Sequence, residues 1–592
     1  MMKDSDFMAK FKNNRRAQYA YLTVILFSIF LLLQQTSWVA DDWYGARVSR
    51  ESVTAPVYSH YVPASITTWR VISLLGMDRT YWSLFVVLSI FLIWLGMRKM
   101  TELYIANTWL PFVSLLPICS AFGTYSVLYA AKGESSLPGA TLFVWSTYLL
   151  HKGVRDRQGY FQIALSILLA FLSFFFWEAN LLFPMFSLLS LFYTSGLSTL
   201  RDNRVKSFLL TTIFSWATYL ALYSASGAGS NEVKSQLMKT FTTTINFVMK
   251  MFLPIFGGWP FWGQRNEFMS PFPMASSDQW RVSVGAVVAI LLFSCLIAII
   301  GKRFFAYLIL FTCLVGVYFL PISRERGGMF GEAIFTDFRY TSDLIGPVMI
   351  GLLVTLISVN TSFKREWLAD SKNSIVTKSK VKYLLLTTTV IASLGGLTTS
   401  IANYEIYRTS YASDTPKFLD QLDKSMTNFK ECKGCVLLDS LLPPSFGTIG
   451  APWRTVKNVL VARGMNRSDL MMSGSNAKMI SLDGELVEGE ITRFRLSTEN
   501  KGLNECSNGM SVTRELVSPN ELWTSKIEIS SLRQQKLIVQ VNTVAQPVAL
   551  EAGLNVIWFQ SFAGTDTVVI NPIMPNEPLN ACLLSLVSGA LG

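Results

Sequence analysis

The fold of this chain is decided by residues 19–44, YAYLTVILFSIFLLLQQTSWVADDWY. About 20 consecutive apolar residues cross a bilayer core, and residues 19–39 form one such run without a charged side chain. The run is too long for the apolar part of a signal peptide, and no small-residue cleavage site follows it. We therefore predict a retained membrane anchor, followed at once by two adjacent carboxylates, Asp41 and Asp42.

The composition of the whole chain extends this interpretation. Its 592 residues are 51% hydrophobic and 15% charged, with a mean hydropathy of +0.37, as is typical of a polytopic membrane protein. The apolar character ends near Ala402, and the residues beyond it have the composition of an ordinary globular domain. The densest clusters of the +12 net charge lie between apolar runs, where they fix orientation, so we expect no nucleic-acid partner.

The predicted fold class is an α-helical polytopic membrane protein with about eleven spans in a lipid bilayer. Basic clusters between the runs face the cytoplasm by the positive-inside bias, so the N-terminus lies inside and the C-terminal domain outside. The same parity places Glu178 at the outer turn of a hairpin over 160–199, and Lys132 and Glu134 in a second outer turn. Prolines 111 and 117 predict a kinked third span. The predicted spans cover about residues 19–39, 81–97, 103–130, 138–150, 160–177, 180–199, 207–223, 282–301, 304–321, 344–360 and 383–402.

The chain is predicted to have three divisions: a transmembrane domain at 1–402, a mixed α/β segment at 403–484, and a β-sandwich of jelly-roll type at 485–592. A helix over 416–429 and a strand over 435–439 define the mixed segment. Alternating apolar segments, among them one strand over 549–560, define the sandwich. Residues 40–80, 224–281 and 322–343 are predicted long external loops, and 247–263 a stretch lying on the membrane surface.

Four of the seven cysteines lie in the C-terminal region, and we predict the disulfides Cys432–Cys435 and Cys506–Cys582. The Cys-x-x-Cys spacing is also that of a redox motif or of half a zinc site. No second such pair and no nearby histidine supports zinc. The chain has only two histidines, His60 and His151, which argues against histidine-based metal or triad chemistry.

With these features the chain resembles the GT-C class of membrane glycosyltransferases. The resemblance rests on the Asp-Asp pair after an inside-to-outside anchor, the span count and the external C-terminal domain. The overall plan is similar to that of bacterial O-antigen glucosyltransferases, and residues 436–445 with 456–464 are similar to the start of the external domain of arabinosyltransferase-like members. The resemblance implies transfer of a sugar, such as glucose, from a polyprenyl-phosphate carrier to an acceptor glycan such as lipopolysaccharide O-antigen. It also implies the bacterial cytoplasmic (inner) membrane, with a periplasmic C-terminal domain.

Such a transfer requires a group that takes the proton of the acceptor hydroxyl as it attacks the anomeric carbon. We assign Asp42 to this role and Asp41 as its partner, because repulsion between adjacent carboxylates favours one of them as proton acceptor. The pair also suits a divalent cation that screens phosphate, and no other cofactor is indicated. The alternative explanation is a solvated loop start that ends the first span.

The departing phosphate requires cations, and the fork of arginine matches phosphate oxygens. Arg324, Arg326 and Arg339 in the last external loop are therefore candidate phosphate ligands. Ion pairing with acidic residues of the same loop explains them as well.

Glu178 lies in a turn too short for a solvated loop, next to Trp177. A carboxylate there is either a paired structural group or a functional one, which orients the acceptor or binds a metal. Lys132 and Glu134 are candidate partners of Glu178 or substrate ligands. His60 is a further candidate substrate ligand, although a solvated face explains it equally well.

Two other functions compete with glycosyl transfer. A polysaccharide polymerase or ligase is also polytopic, but it usually lacks a large external C-terminal domain. A transporter is disfavoured because the chain has no internal repeat and few charges inside its spans.

Overall fold

The structure is a computed structural model of the protein. It describes residues 15–38, 40–52, 60–105, 109–156, 159–226, 237–258, 279–330, 338–368, 375–410, 414–432, 435–443, 446, 455–465, 476–489, 491–499, 510–515, 522–541, 544–562, 565–572 and 581–591. The chain divides into two compact units. The helical unit comprises residues 1–36, 48–266 and 272–409, and the second unit comprises 37–47, 267–271 and 410–592.

The chain up to residue 410 is built from helices. The α-helices are α1 Arg15–Gln34, α2 Ala40–Glu51, α3 Pro63–Leu74, α4 Arg79–Tyr104, α5 Leu110–Val113, α6 Ala121–Leu128, α7 Ala130–Arg155, α8 Tyr160–Phe174, α9 Phe183–Ser195, α10 Asn203–Ala225, α11 Leu237–Asn246, α12 Leu253–Phe256, α13 Gln279–Ile300, α14 Lys302–Phe330, α15 Ile345–Leu368 and α16 Ile375–Ser410. Between them lie the 3₁₀ segments Leu116–Cys119, Glu178–Leu182, Leu197–Arg201 and Phe338–Leu344, and the π-helical turn Phe247–Phe252.

The polytopic α-helical class is confirmed. Among the described residues, seven helices are long and apolar enough to cross a membrane, or eight if the bent pair Leu110–Cys119 and Phe122–Leu128 forms one span. Eight of the eleven predicted spans correspond to these helices, counting the bent pair as one. The predicted runs at 138–150, 160–177 and 180–199 do lie in helices, but α7 carries charged residues and α8 and α9 have only 15 and 13 residues. A helix that short does not cover a bilayer core of about 30 Å.

Two local predictions about the spans are confirmed. The third run is broken into α5, a 3₁₀ turn and α6, with a bend of 79° near the two prolines. Proline removes a backbone donor and clashes with the preceding turn, which explains the break. The 160–199 run is a pair of helices, α8 and α9, and Glu178 stands in the connection between them.

The span that begins at Tyr340 is the most enclosed of the spans identified. In the most apolar stretch of Tyr340–Asn360, 78% of the residues are buried inside the protein. The corresponding share in Gln279–Ile300 is 17%. A span covered by protein on most sides can carry a polar residue at its start without exposing it to lipid. Asp343 stands at that start, and only 2% of its surface is exposed.

The jelly-roll prediction is confirmed by the strand order. The strands are β1 Cys435–Leu438, β2 Asn476–Ile480, β3 Leu486–Glu488, β4 Ile491–Glu499, β5 Met510–Glu515, β6 Leu522–Ser531, β7 Gln535–Val541, β8 Val544–Leu550, β9 Gly553–Phe562, β10 Thr565–Pro572 and β11 Ala581–Leu591. Strands β4 to β11 form two antiparallel sheets with the orders β5-β10-β7-β8 and β4-β11-β6-β9. This is the order produced when an eight-strand ribbon is rolled into a jelly roll.

One predicted strand is wrong. Residues 549–560 are divided between β8 and β9, with a turn at residues 551 and 552. Gly553 has a φ of +108°, a conformation that other residues adopt only with strain. The alternating pattern continues across this turn, so periodicity alone did not reveal it.

The helix and the strand predicted for the mixed α/β segment are both present. Helix α17, Thr415–Glu431, buries Phe418 and Leu422, and β1 pairs in parallel with β2. Cys432 and Cys435 form a disulfide, whereas the predicted Cys506–Cys582 pairing lies outside the described residues because Cys506 does.

Asp439 follows β1 and begins the connection to helix α18, Val456–Ala462. Its Oδ1 accepts a hydrogen bond from the Lys457 N–H at 2.8 Å. Gln560 on β9 contacts the Asp439 backbone twice, accepting from its N–H at 2.6 Å and donating to its carbonyl at 2.8 Å. Burial raises the pKa of the Asp439 carboxyl, although the hydrogen bond from Lys457 acts in the opposite direction.

Three predicted external loops contain helical structure. Residues 40–51 and 63–74 are helices within the first loop, and α14 extends through residue 330 into the last one. Lys132 and Glu134, predicted in a turn, belong to the first two turns of α7. The predicted surface stretch is helical as far as Phe256, and residues 259–263 lie outside the described residues. A span limit read from hydropathy stops at the first charged residue, whereas a helix continues wherever its backbone hydrogen bonds are formed.

Candidate active site

Asp42 is the third residue of α2, and its side chain is fully buried. The neighbouring Trp43 is 1% exposed, and the Arg47 guanidinium lies 5.1 Å from the centre of the Tyr44 ring. A solvated loop start, the alternative explanation for the Asp-Asp pair, does not agree with a buried carboxylate. The side chain of Asp41 lies outside the described residues.

His60 and Glu178 form a close pair in the helical unit. The His60 Nδ1 lies 2.6 Å from the Glu178 Oε1, and the two side chains are 18% and 21% exposed. Backbone contacts hold the two segments together, because the Ala64 N–H donates to the Phe175 carbonyl at 3.1 Å. A histidine with one nitrogen bound to a carboxylate has a defined ring orientation, which leaves the other nitrogen to act on a ligand.

Lys132 and Asp343 form a second close pair. The Lys132 Nζ lies 2.7 Å from the Asp343 Oδ2, and the two side chains are 11% and 2% exposed. The Tyr318 hydroxyl donates to the same Oδ2 at 2.9 Å. A buried lysine and carboxylate remain charged only when they are paired and hydrogen-bonded, and this pair is both.

The two pairs meet at Trp177. The Lys132 Nζ lies 4.3 Å from the centre of the Trp177 ring, in a cation–π contact, and the His60 ring centre lies 4.6 Å from the same point. The connection that carries Trp177 packs closely on α7, since a Cβ on Gly139 would lie 2.7 Å from the Asn180 Nδ2. We call His60, Glu178, Trp177, Lys132 and Asp343 the Trp177 cluster.

Glu134 lies near this cluster along the chain but has a different partner. The Ser65 hydroxyl donates to the Glu134 Oε1 at 2.7 Å, and Glu134 is 7% exposed. The idea that Lys132 and Glu134 pair with Glu178 is therefore wrong, because their recorded polar partners are Asp343 and Ser65 while Glu178 pairs with His60. Residues two apart on a helix point to different sides, so one carboxylate rarely contacts both.

The three candidate phosphate arginines are only partly described. Arg324 is exposed on α14, and the side chains of Arg326 and Arg339 lie outside the described residues. Their assignment remains a prediction. Within the described part of the chain, no group of three or more His, Cys, Asp or Glu side chains is placed to hold a metal ion.

Asp343, Tyr318 and Ser65 are site residues that sequence reasoning missed. Asp343 carried the same signal as Asp42, since a lone carboxylate stands directly before an apolar span. Tyr318 and Ser65 carried no such signal, because an aromatic residue or a serine in a helix is ordinary.

Comparison with known proteins gives two similar solved structures. One is the archaeal oligosaccharyltransferase AglB from Archaeoglobus fulgidus, in complex with an inhibitory peptide and a dolichol-phosphate, at 9% identity and a TM-score of 0.30, covering 64% of this chain and 56% of that one. The other is the mycobacterial arabinofuranosyltransferase AftD, at 10% identity and a TM-score of 0.35, covering 97% of this chain and 61% of that one. This chain thus spans less than two thirds of the length of either. No family model and no curated protein matches it.

The fold and the Trp177 cluster define the class of protein: a polytopic membrane protein with a C-terminal jelly roll and charged groups buried among its helices. Both similar structures are membrane glycosyltransferases. At such low TM-scores the likeness carries no argument about the reaction.

Proposed function

We propose that this protein is a membrane glycosyltransferase of GT-C type, which transfers a sugar from a polyprenyl-phosphate carrier to an extracytoplasmic acceptor. The Trp177 cluster carries the proposal. His60, Lys132 and Glu178 come from three separate segments, and in the structure they lie around one tryptophan. Enclosing charged groups in a membrane protein costs free energy. Several of them lying together therefore favour a functional site over a purely structural arrangement.

The proposed chemistry uses Asp42 as the base for the acceptor hydroxyl, with Asp41 as its partner. Asp42 is buried, and a carboxylate within hydrogen-bond reach of the acceptor hydroxyl is suited to take its proton. Arg324, Arg326 and Arg339 are proposed to bind the donor phosphate. The lipid tail would lie along the apolar faces of spans such as α13, which expose Val284, Val287 and Ile290.

The proposed location is the bacterial cytoplasmic membrane, with the N-terminus inside and the C-terminal unit in the periplasm. The Cys432–Cys435 disulfide supports this orientation, because such bonds persist in oxidising compartments. Reporter fusions after residues 370 and 410 should report opposite sides of the membrane. Labelling on the same side would contradict the orientation without touching the enzymatic proposal.

The proposed donor sugar is glucose and the proposed acceptor is lipopolysaccharide O-antigen, both following the resemblance of the sequence. Membranes containing the protein should be incubated with a panel of radiolabelled undecaprenyl-phosphate sugars and purified acceptor glycans. Transfer from any member of the panel supports the proposed activity, and the best donor and acceptor pair identifies the substrates. Absence of transfer across the panel would contradict it.

The decisive variant is Asp42→Asn, which keeps the shape of the side chain but removes its ability to take a proton. Transfer should fall by about 10²-fold or more, because general base catalysis contributes on that order. The matched control is Asp78→Asn, since Asp78 is exposed and caps α4 through the Thr80 N–H at 2.8 Å, a bond that asparagine preserves. Full activity in Asp42→Asn, with normal membrane insertion, would remove Asp42 as the base.

A further inference from the structure

Glycosyl transfer changes both the acceptor hydroxyl and the leaving phosphate, and the proposed base acts only on the acceptor. The acceptor loses a proton, while the phosphate that leaves the sugar gains negative charge. Resting on the proposed function, we propose that His60 donates a proton from Nε2 to the leaving phosphate oxygen, that Lys132 holds the phosphate beside it, and that Glu178 and Asp343 position these two cations. His60 is thus a catalytic residue and Asp343 a positioning residue.

The geometry of His60 fits a proton donor. Its Nδ1 is bound to Glu178 at 2.6 Å, while its Nε2 has no hydrogen-bond partner among the described residues. The side chain is partly exposed, so a ligand can reach it. A charged imidazole ring carries a proton on both nitrogens, so Nε2 can donate one while Nδ1 stays bound to Glu178.

Lys132 has the same two kinds of neighbour as His60. Its ammonium has a carboxylate partner, Asp343, and an aromatic neighbour, just as the His60 ring has Glu178 and the same tryptophan. Through Trp177 the Lys132 Nζ and the His60 ring lie within about 9 Å of each other, near enough for one phosphate group to interact with both. Two cations, each held by its own carboxylate, form a site for an anion of that size.

Asp343 is placed to fix Lys132 rather than to contact substrate. Its Oδ2 accepts from both Lys132 and Tyr318, and the Tyr318 hydroxyl also lies 2.5 Å from the Tyr340 carbonyl. The Oδ1 is buried and has no hydrogen-bond partner in the described part of the chain. Asp343 therefore ties α7, α14 and the 338–344 segment together at the ammonium.

The proposed step balances in atoms and protons. The acceptor oxygen bonds to the anomeric carbon and its proton passes to the general base, which releases it to solvent. The bond from that carbon to the phosphate oxygen breaks, the electron pair stays on the phosphate, and the Nε2 proton of His60 moves to that oxygen. The products are the glycoside and polyprenyl phosphate, and solvent returns a proton to His60.

The first test measures binding of undecaprenyl phosphate, the carrier without its sugar, to the full-length protein in detergent. Carrier affinity should fall about tenfold in Lys132→Met/Asp343→Asn, which removes both charges and leaves no unpaired one. The matched control is Asp202→Asn, which breaks another ion pair of the helical unit, at the far end of α9 from Glu178, and keeps its cap on α10. Inorganic phosphate as competitor separates recognition of the phosphate from recognition of the lipid.

The second test isolates the proton. Transfer from undecaprenyl-phosphate glucose should fall about 10²-fold in His60→Gln, and added imidazole should restore part of the activity of His60→Ala. Among the described residues, the charged groups around His60 are Glu178 and, across Trp177, Lys132, so Glu178→Gln should also lower the transfer rate.

Each outcome decides one of the two proposals. If the wild type transfers sugar and His60→Gln matches its rate, the role of His60 is overturned while the glycosyltransferase stands. If the wild type binds carrier in a Lys132- and His60-dependent way but transfers nothing, the phosphate site stands and the glycosyltransferase falls. If carrier affinity is the same in every variant, the phosphate site is overturned.

Discussion

The two histidines of the chain stand in opposite surroundings, although both belong to the helical unit. His60 has one charged partner, Glu178, and is partly exposed. His151 on α7 is fully buried, and both of its nitrogens have neutral partners: the Tyr104 hydroxyl at 2.6 Å from Nδ1 and the Ser190 hydroxyl at 2.9 Å from Nε2. Helix α7 thus carries His151, and it also carries Lys132, which belongs with His60 to the Trp177 cluster.

This difference separates a structural histidine from one that can act on a ligand. A ring whose two nitrogens are both hydrogen-bonded inside the protein joins helices, and α4, α7 and α9 meet at His151. A ring with one nitrogen bound to a carboxylate and the other open can exchange a proton. Residue type does not distinguish the two cases, whereas the partners and the exposure do.

The largest expected effect on stability comes from the buried pair beside His60. Asp343→Asn leaves the Lys132 ammonium buried without its carboxylate, and we expect a loss of about 3–5 kcal/mol in the free energy of unfolding. Lys132→Met/Asp343→Asn should lose clearly less, because no charge is left unpaired. Unfolding of the purified protein in mixed detergent with increasing SDS measures both, and equal losses would show that the pair is not charged in the folded protein.

The second prediction tests the two histidines directly. His151→Leu removes two buried hydrogen bonds and should cost about 1–3 kcal/mol of stability, with the turnover rate of the folded fraction unchanged. His60→Gln should change stability by no more than about 0.5 kcal/mol, because the site is partly exposed. SDS unfolding and sugar transfer, measured on the same preparations, give both readouts. The comparison fails if His60→Gln is the less stable variant.

A third prediction concerns Asp439, which like His151 is held by neutral groups. Because burial raises its folded-state pKa above the unfolded value, the resulting stability is complete below the unfolded value and is lost as the pH rises through the folded one. Asparagine keeps the bond from the Lys457 N–H, so Asp439→Asn should abolish this loss at neutral pH. Hydrogen exchange of the β1 peptide, corrected for intrinsic rates, should show protection that falls with pH only in the wild type.

The smallest effect is expected at the Asp202–Arg204 pair. The Arg204 side chain holds the pKa of Asp202 below its usual range, but the group lies near the surface, where ion pairs contribute up to about 1 kcal/mol. Asp202→Asn should therefore cost less than about 1 kcal/mol in SDS unfolding at neutral pH. A loss as large as that of Asp343→Asn would remove the distinction between buried and peripheral pairs.

Much of the architecture could be predicted from sequence, because it depends on local patterns. A run of apolar residues must lie in a helix in lipid, since every backbone group needs an internal partner. Alternation of apolar residues likewise predicted the jelly roll. The ends of helices and strands were less well predicted. Helix α7 begins before its apolar run, and the 549–560 segment contains a turn between two strands. Hydropathy reports where a side chain prefers to be, not where a backbone hydrogen bond ends.

The candidate site divides in the same way. Glu178 and Asp42 were found because a carboxylate at a membrane boundary is unusual in any sequence. The ion pairs were not predicted, because no pattern in the sequence links His60 with Glu178 or Lys132 with Asp343. Lys132 and Asp343 are 211 positions apart. Ser65 and Tyr318 are ordinary until their hydroxyl groups are seen to donate to carboxylates.

By itself, the amino-acid sequence determined that this protein is polytopic and helical, that its C-terminal region contains a jelly roll, and which charged residues would be costly to enclose. Those properties follow from the preference of each side chain for lipid or water and from periodicity along the chain. Only the tertiary structure decided which charges neutralise each other and which histidine nitrogen is left open. Pairing is a matter of distances between segments remote in sequence, and packing of the helices sets those distances.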